Sequence, residues 1–188
     1  MKLKLVIGSA VAAGALLVGM VSIAAAGTSD KQAAADPLAG LRAATDQFHS
    51  IATAEQHGYA LLPDAKGIAC IDMPAMPGMP AGGMGVHWAD SKLVGDPAII
   101  PTQPEALVYA PMPDGTLQLA AVEYVVLKKA WDATHNAAPK LFGTTFNLTG
   151  APNRFGLPAF YSLHAWAWEH NPAGTFAMFN PRVVCPTA

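Results

Sequence analysis

Glu105 to Val126 reads EALVYAPMPDGTLQLAAVEYVV, and the fold follows from how that stretch divides. Two runs rich in Val, Leu, Tyr and Ala flank Pro113-Asp114-Gly115, a turn cluster of the kind that joins antiparallel strands. Glu105–Met112 and Thr116–Val126 are therefore predicted as one hairpin. Phe160–Trp168 and Thr175–Val184 flank Asn171-Pro172-Ala173-Gly174 and are predicted as a second. Upstream, Gly67–Asp72 has strand character and carries Cys70. Met73–Gly85 (MPAMPGMPAGGMG) is a Pro/Gly stretch that reads as loop and excludes helix or central strand. Val86-His87-Trp88 resumes an extended pattern, Pro97–Pro104 is again loop, and Lys128–His135 is a short helix or turn.

One helix precedes the strands. Asp36 is its predicted N-cap, Pro37 its first residue, and Gly58 the C′ residue after about His57. Leu38, Leu41, Phe48 and Ile51 recur at helical spacing and form an apolar stripe. A helix followed by about four to six strands, without alternation of the two, predicts an α+β fold. In it, an N-terminal amphipathic helix packs on a largely antiparallel sheet.

Polar residues on the predicted apolar faces carry the chemistry. Strand side chains alternate, so Leu117, Leu119, Ala121, Glu123 and Val125 are expected to share one face. Phe160, Ser162, His164, Trp166 and Trp168 form a second row, which sets His164 among aromatics. His87 points away from Val86 and Trp88. Buried ionisable groups are costly unless paired, hydrogen-bonded or bound to metal. Two imidazoles and a carboxylate from three strands are the donor set of zinc, manganese and non-haem iron sites. The alternative is a hydrogen-bonded core set, or a β-bulge that turns Glu123 outward.

Two further candidates extend that set. At about 100° per residue, Glu55 projects near the middle of the Leu41/Phe48/Ile51 face; if the stripe ends a turn early, it meets solvent instead. Met73, Met76, Met79 and Met84, followed by His87, offer soft thioethers suited to Cu(I). Simple packing of a stiff Pro/Gly loop explains the same methionines and is the preferred reading. Walker loops, GxGxxG, GxSxG, HExxH and CxxC pairs are missing, which sets aside the common enzymes built on them.

Lys2 and Lys4, an apolar run from Leu5 to Met20 and small residues up to Ala26 have the anatomy of a secretory signal. The predicted organisation is a signal at 1–26, a flexible leader at 27–36 and a single globular domain at 37–188. Cleavage after Ala26 or after Ala35 satisfies the small-x-small rule equally. Loss of Lys2 and Lys4 leaves nine basic residues against 13 acidic ones, a net charge near −4. That balance argues against nucleic acid as a partner, and against stable membrane association after cleavage. Cys70 and Cys185 are the only cysteines, and in an exported chain they most simply pair as a disulfide.

Several segments resemble a family of exported bacterial proteins to which no activity is assigned. They are Ala54–Tyr59 (AEQHGY), Gly83–Trp88 (GMGVHW), Pro104–Tyr109 (PEALVY), Ala121–Tyr124 (AVEY) and Tyr161–Phe176 (YSLHAWAWEHNPAGTF). The resemblance implies export and a single domain; it implies no cofactor or catalytic residue. The chain is thus read as a secreted or extracytoplasmic protein, of periplasm or cell exterior. It is expected to bind a metal ion or small ligand at His87, Glu123 and His164, with Glu55 as an added candidate. The expected ion is divalent (zinc, manganese or iron) ahead of copper. The alternatives are a non-enzymatic structural or interaction module without metal, and copper binding through the Met-rich loop.

Overall fold

The N-terminal helix is broken in two in the computed structural model, which describes residues 36–78 and 80–186. The predicted signal and Met79 lie outside those residues. Helix α1 (Ala39–Thr45) passes into a 3₁₀ turn (Asp46–His49), and α2 (Ile51–Gln56) restarts after Ser50. Ser50 is extended (φ −91°, ψ 114°), and its side chain accepts from the Thr53 N–H. It is an N-cap in the middle of a stretch that hydrophobic period alone treats as continuous. The Phe48 carbonyl accepts from the Tyr109 hydroxyl at 2.7 Å instead of extending a helix. The C-terminal end is as expected, with Gly58 (φ 97°) after the C-cap His57. The start is later than predicted: Leu38, not Asp36, is the N-cap and Ala39 the first helical residue, because the Asp36 carboxylate closes a turn, accepting from the Leu38 N–H.

After the helices come β1 (Ala60–Leu61), β2 (Cys70–Met73), β3 (Gly82–Ala89), α3 (Ser91–Gly95), β4 (Ala106–Pro111) and β5 (Leu117–Leu127). Then follow α4 (Lys128–Asp132), β6 (Lys140–Leu141), β7 (Thr144–Thr145), β8 (Asn147–Thr149) and β9 (Phe160–Ala165). The main sheet runs β1-β3-β4-β5-β9-β8, with β2 also paired to β3; β6 and β7 form a separate ribbon. Every pair is antiparallel. The fold is α+β with a largely antiparallel sheet, as expected.

Three local expectations are corrected. Gly82–Gly85, read as loop, belongs to β3 in the interior of the sheet. Its glycines answer close approach: an added Cβ at Gly83 would lie 2.7 Å from Val183 Cγ1, and one at Gly85 (φ +100°) would lie 2.7 Å from the Tyr109 carbonyl oxygen. The second hairpin does not form, because residues 175–184 make only one isolated bridge, Gly83 to Asn180. Asparagines hold that segment instead. Asn171 donates to the Phe179 carbonyl and Asn180 to the His170 carbonyl.

The third correction is a bulge in β5. Val108 pairs with Ala121 but Tyr109 pairs with Leu119, so Ala120 is an extra residue. Leu117 and Leu119 therefore join the main core with Val122, Tyr124, Trp88 and the helix residues Leu41 and Phe48. Ala121 turns to the opposite face, beside Val108, Trp166 and Val183. The bulged Ala120 carbonyl accepts from the Trp168 and Glu169 N–H groups. Beyond Trp166 the predicted His164 row ends, and Trp168 packs with the main core, its indole donating to Thr45. A Cys70–Cys185 disulfide (Cα–Cα 5.6 Å) ties β2 to the C-terminal segment. No described helix is long and apolar enough to cross a membrane.

Candidate metal centre

His87, Glu123 and His164 meet on the face of the sheet opposite the helices. Glu123 on β5 is the direct cross-strand partner of His164 on β9. His87 is farther away, on β3, with β4 between. Strands two places apart lie ~9–10 Å from each other, so the side chains must cross over β4. Ala106, the β4 partner of Glu123, presents only a methyl group and leaves the gap open.

The three side chains are closed off from solvent, at 1% (His87), 7% (Glu123) and 2% (His164) exposure. Phe155 stands edge-on to the His87 ring at 6.4 Å, and Trp166 stacks along His164 at 6.1 Å. The 3.4 Å distance recurs three times: His87 Nε2 to Glu123 Oε2, His87 Nε2 to His164 Nε2, and His164 Nδ1 to Glu123 Oε1. A settled N–H···O bond is shorter, ~2.9–3.0 Å. Ligand atoms placed tetrahedrally at ~2.0–2.2 Å from one ion lie ~3.3–3.6 Å apart, which the two distances from His87 Nε2 match. The third distance runs from Nδ1 of His164, the ring nitrogen that would face away from an ion held by Nε2. One potential ligand atom from each residue lies within 4.8 Å of the other two, a grouping that could hold a metal ion.

The electrostatics point the same way. Burial alone would raise the Glu123 carboxyl. His164, then hydrogen bonding and charge from His87, with help from the Ser162 hydroxyl, outweigh that and bring it down to about 2. Burial lowers His164 to about 4, against the opposing pull of Glu123, so this imidazole is neutral at pH 7. Among the described residues Glu123 has no lysine or arginine partner. His87 Nδ1 is buried without any hydrogen-bond partner. The result is an anionic carboxylate with imidazole donors turned toward it.

Glu55 does not join them. The break at Ser50 resets the helical phase, and Glu55 is exposed at the end of α2, on the helix side of the sheet. The copper reading loses its imidazole, because His87 is buried on β3 with Nε2 turned to Glu123 and His164. Of the thioethers, Met84 is buried on β3 whereas Met76 is exposed. Two supporting features carry no local sequence signal: the Phe155 cover comes from a distant loop, and the Ala106 gap is defined only by strand pairing. The chain matches no known family model, no curated protein and no solved structure.

Proposed function

We propose that this protein is an extracytoplasmic metal-binding protein that holds one divalent ion between His87, Glu123 and His164. The observation that carries the reading is Glu123: among the described residues, a buried anionic carboxylate that faces two imidazoles and no lysine or arginine. His87 Nε2 lies 3.4 Å from both Glu123 Oε2 and His164 Nε2, the spacing of ligands on one tetrahedral ion. A His₂Glu donor set suits zinc first, with manganese and iron as competitors. The low exposure of the set favours retention of an ion over rapid turnover of a bulky substrate. The disulfide fits the oxidising compartment that the predicted signal implies.

Elemental analysis of untagged protein tests this directly. One equivalent of metal per chain is expected, and Glu123→Gln should weaken binding at least ~10-fold, a loss typical of damaged metal shells. The mutant should also lose the part of its melting temperature that chelator removes from wild type. Equal destabilisation of the mutant with and without chelator would refute the ligand role. Metal-free protein unmoved by zinc, manganese, iron or copper would turn the reading to a structural module.

A further inference from the structure

A second site, of different chemistry, lies between the broken helix, α3 and the loop before β4. A cavity of about 360 Å³ opens there, with Gln47, Phe48, His57, Tyr59, Asp90 and Gln103 in its wall. It shares no residue with the His87/Glu123/His164 set. Its volume falls within the range of small-molecule sites.

The wall is rich in acceptors and aromatic rings. Asp90 is buried, at 9% exposure. Its Oδ1 caps α3 by accepting from the Lys92 N–H at 2.8 Å, and Oδ2 lies against Gly58, where an added Cβ would come within 3.0 Å. None of the ion pairs among the described residues involves Asp90, and no lysine or arginine lines the cavity. His57 Nδ1 donates to the Thr53 carbonyl at 2.8 Å, which leaves Nε2 an acceptor in the neutral ring. Phe48 stands edge-to-face to both His57 and Tyr59, each at 5.3 Å.

A hard inorganic cation takes about six oxygen ligands, more than the side chains of Asp90, Gln47, Thr102 and Gln103 supply together, and Asp90 Oδ1 is already engaged by the Lys92 N–H. An alkylated ammonium needs only one counter-charge and aromatic surface, since Coulomb attraction and cation–π contact reinforce each other. We propose that this cavity binds a small organic ammonium ion, with Asp90 as its counter-charge and Phe48, His57 and Tyr59 as its aromatic wall.

Titration calorimetry with choline and with 3,3-dimethylbutan-1-ol, its uncharged isostere, tests the proposal on wild type and on Asp90→Asn. Asparagine is as good an N-cap as aspartate, so the variant removes charge while keeping the cap of α3. Wild type should bind choline at least ~10-fold more tightly than the alcohol, and Asp90→Asn should lose that preference. Equal binding of the two ligands by wild type overturns the proposal, as does undiminished choline binding by the variant. Absence of choline binding at ~10 mM overturns it too. If Asp90→Asn does not fold, the wild-type ratio of choline to alcohol decides alone. Chelator-treated protein should bind choline unchanged, so failure at the metal centre leaves this result standing.

Discussion

Glu105 and Glu123 are both buried acids, and their neighbours drive them to opposite charge states. Glu105 accepts an N–H bond from Val125 at 2.9 Å. Burial dominates there and pushes its carboxyl up to about 8, with Asp96 and Glu123 adding to the rise. A folded-state value above the unfolded one means stability present below about 4.5 and lost as pH rises through about 8. Glu105→Gln keeps an acceptor for Val125 without the titration. We expect it to unfold like wild type at pH 4 and to be about 1 kcal/mol or more stabler at alkaline pH, as read from urea midpoints at both pH values. His164 works in the other window. Lowered from 6.5 to about 4, it is neutral in the fold while the unfolded imidazole takes up a proton. Metal-free protein should therefore lose stability as pH falls from about 6.5 to 4, and His164→Gln should flatten that slope. On the proposed function, metal should be released in the same direction, since ligation needs the neutral ring.

At the level of elements, the site depends on strand phase, and the phase is set by two irregularities. The Ala120 bulge places Leu119 in the main core while Glu123 keeps to the opposite face with His164. Without the extra residue, Leu117 and Leu119 would share the Glu123 face, as plain alternation suggests. In β3 the second irregularity is Met84, left over between the pairs Ile71–Gly85 and Asp72–Gly83, within a glycine run that lets the C-terminal segment lie directly on the strand that carries His87. Gly83→Ala would drive a methyl group into Val183. We expect a loss of about 1–3 kcal/mol, seen as a lower melting temperature. Ser50→Ala removes the α2 cap and should cost about 0.5–2 kcal/mol in the same assay, with metal content unchanged because α2 lies across the sheet from the centre.

For the molecule as a whole, the disulfide is the covalent long-range tie. Cys70 and Cys185 are 115 residues apart, and closing a loop of that length restricts the unfolded chain by about 4–5 kcal/mol in the chain-entropy model. Cys70 also pairs with Val86, the neighbour of His87 on β3. Replacing both cysteines by serine should therefore lower the urea midpoint of unfolding by that order of free energy. An unchanged midpoint would mean that noncovalent contacts with the sheet alone restrain the C-terminal segment.

Residue order alone determined the α+β class, the Pro113-Asp114-Gly115 hairpin, the cysteine pair and the candidacy of His87, Glu123 and His164. These are local or compositional properties: turn chemistry acts within four residues, alternation within one strand, and two cysteines admit a single pairing. Only the tertiary structure decided which candidates meet. Glu55 left the set because Ser50 restarts the helix. Thr175–Val184 forms no strand, since asparagine side chains and the bulged carbonyl of Ala120 anchor the chain around it. His87 reaches Glu123 across β4 because Ala106 stands between them, and that adjacency is a matter of sheet order. Sheet order arises from hydrogen bonds between segments remote in sequence, so no local pattern encodes it.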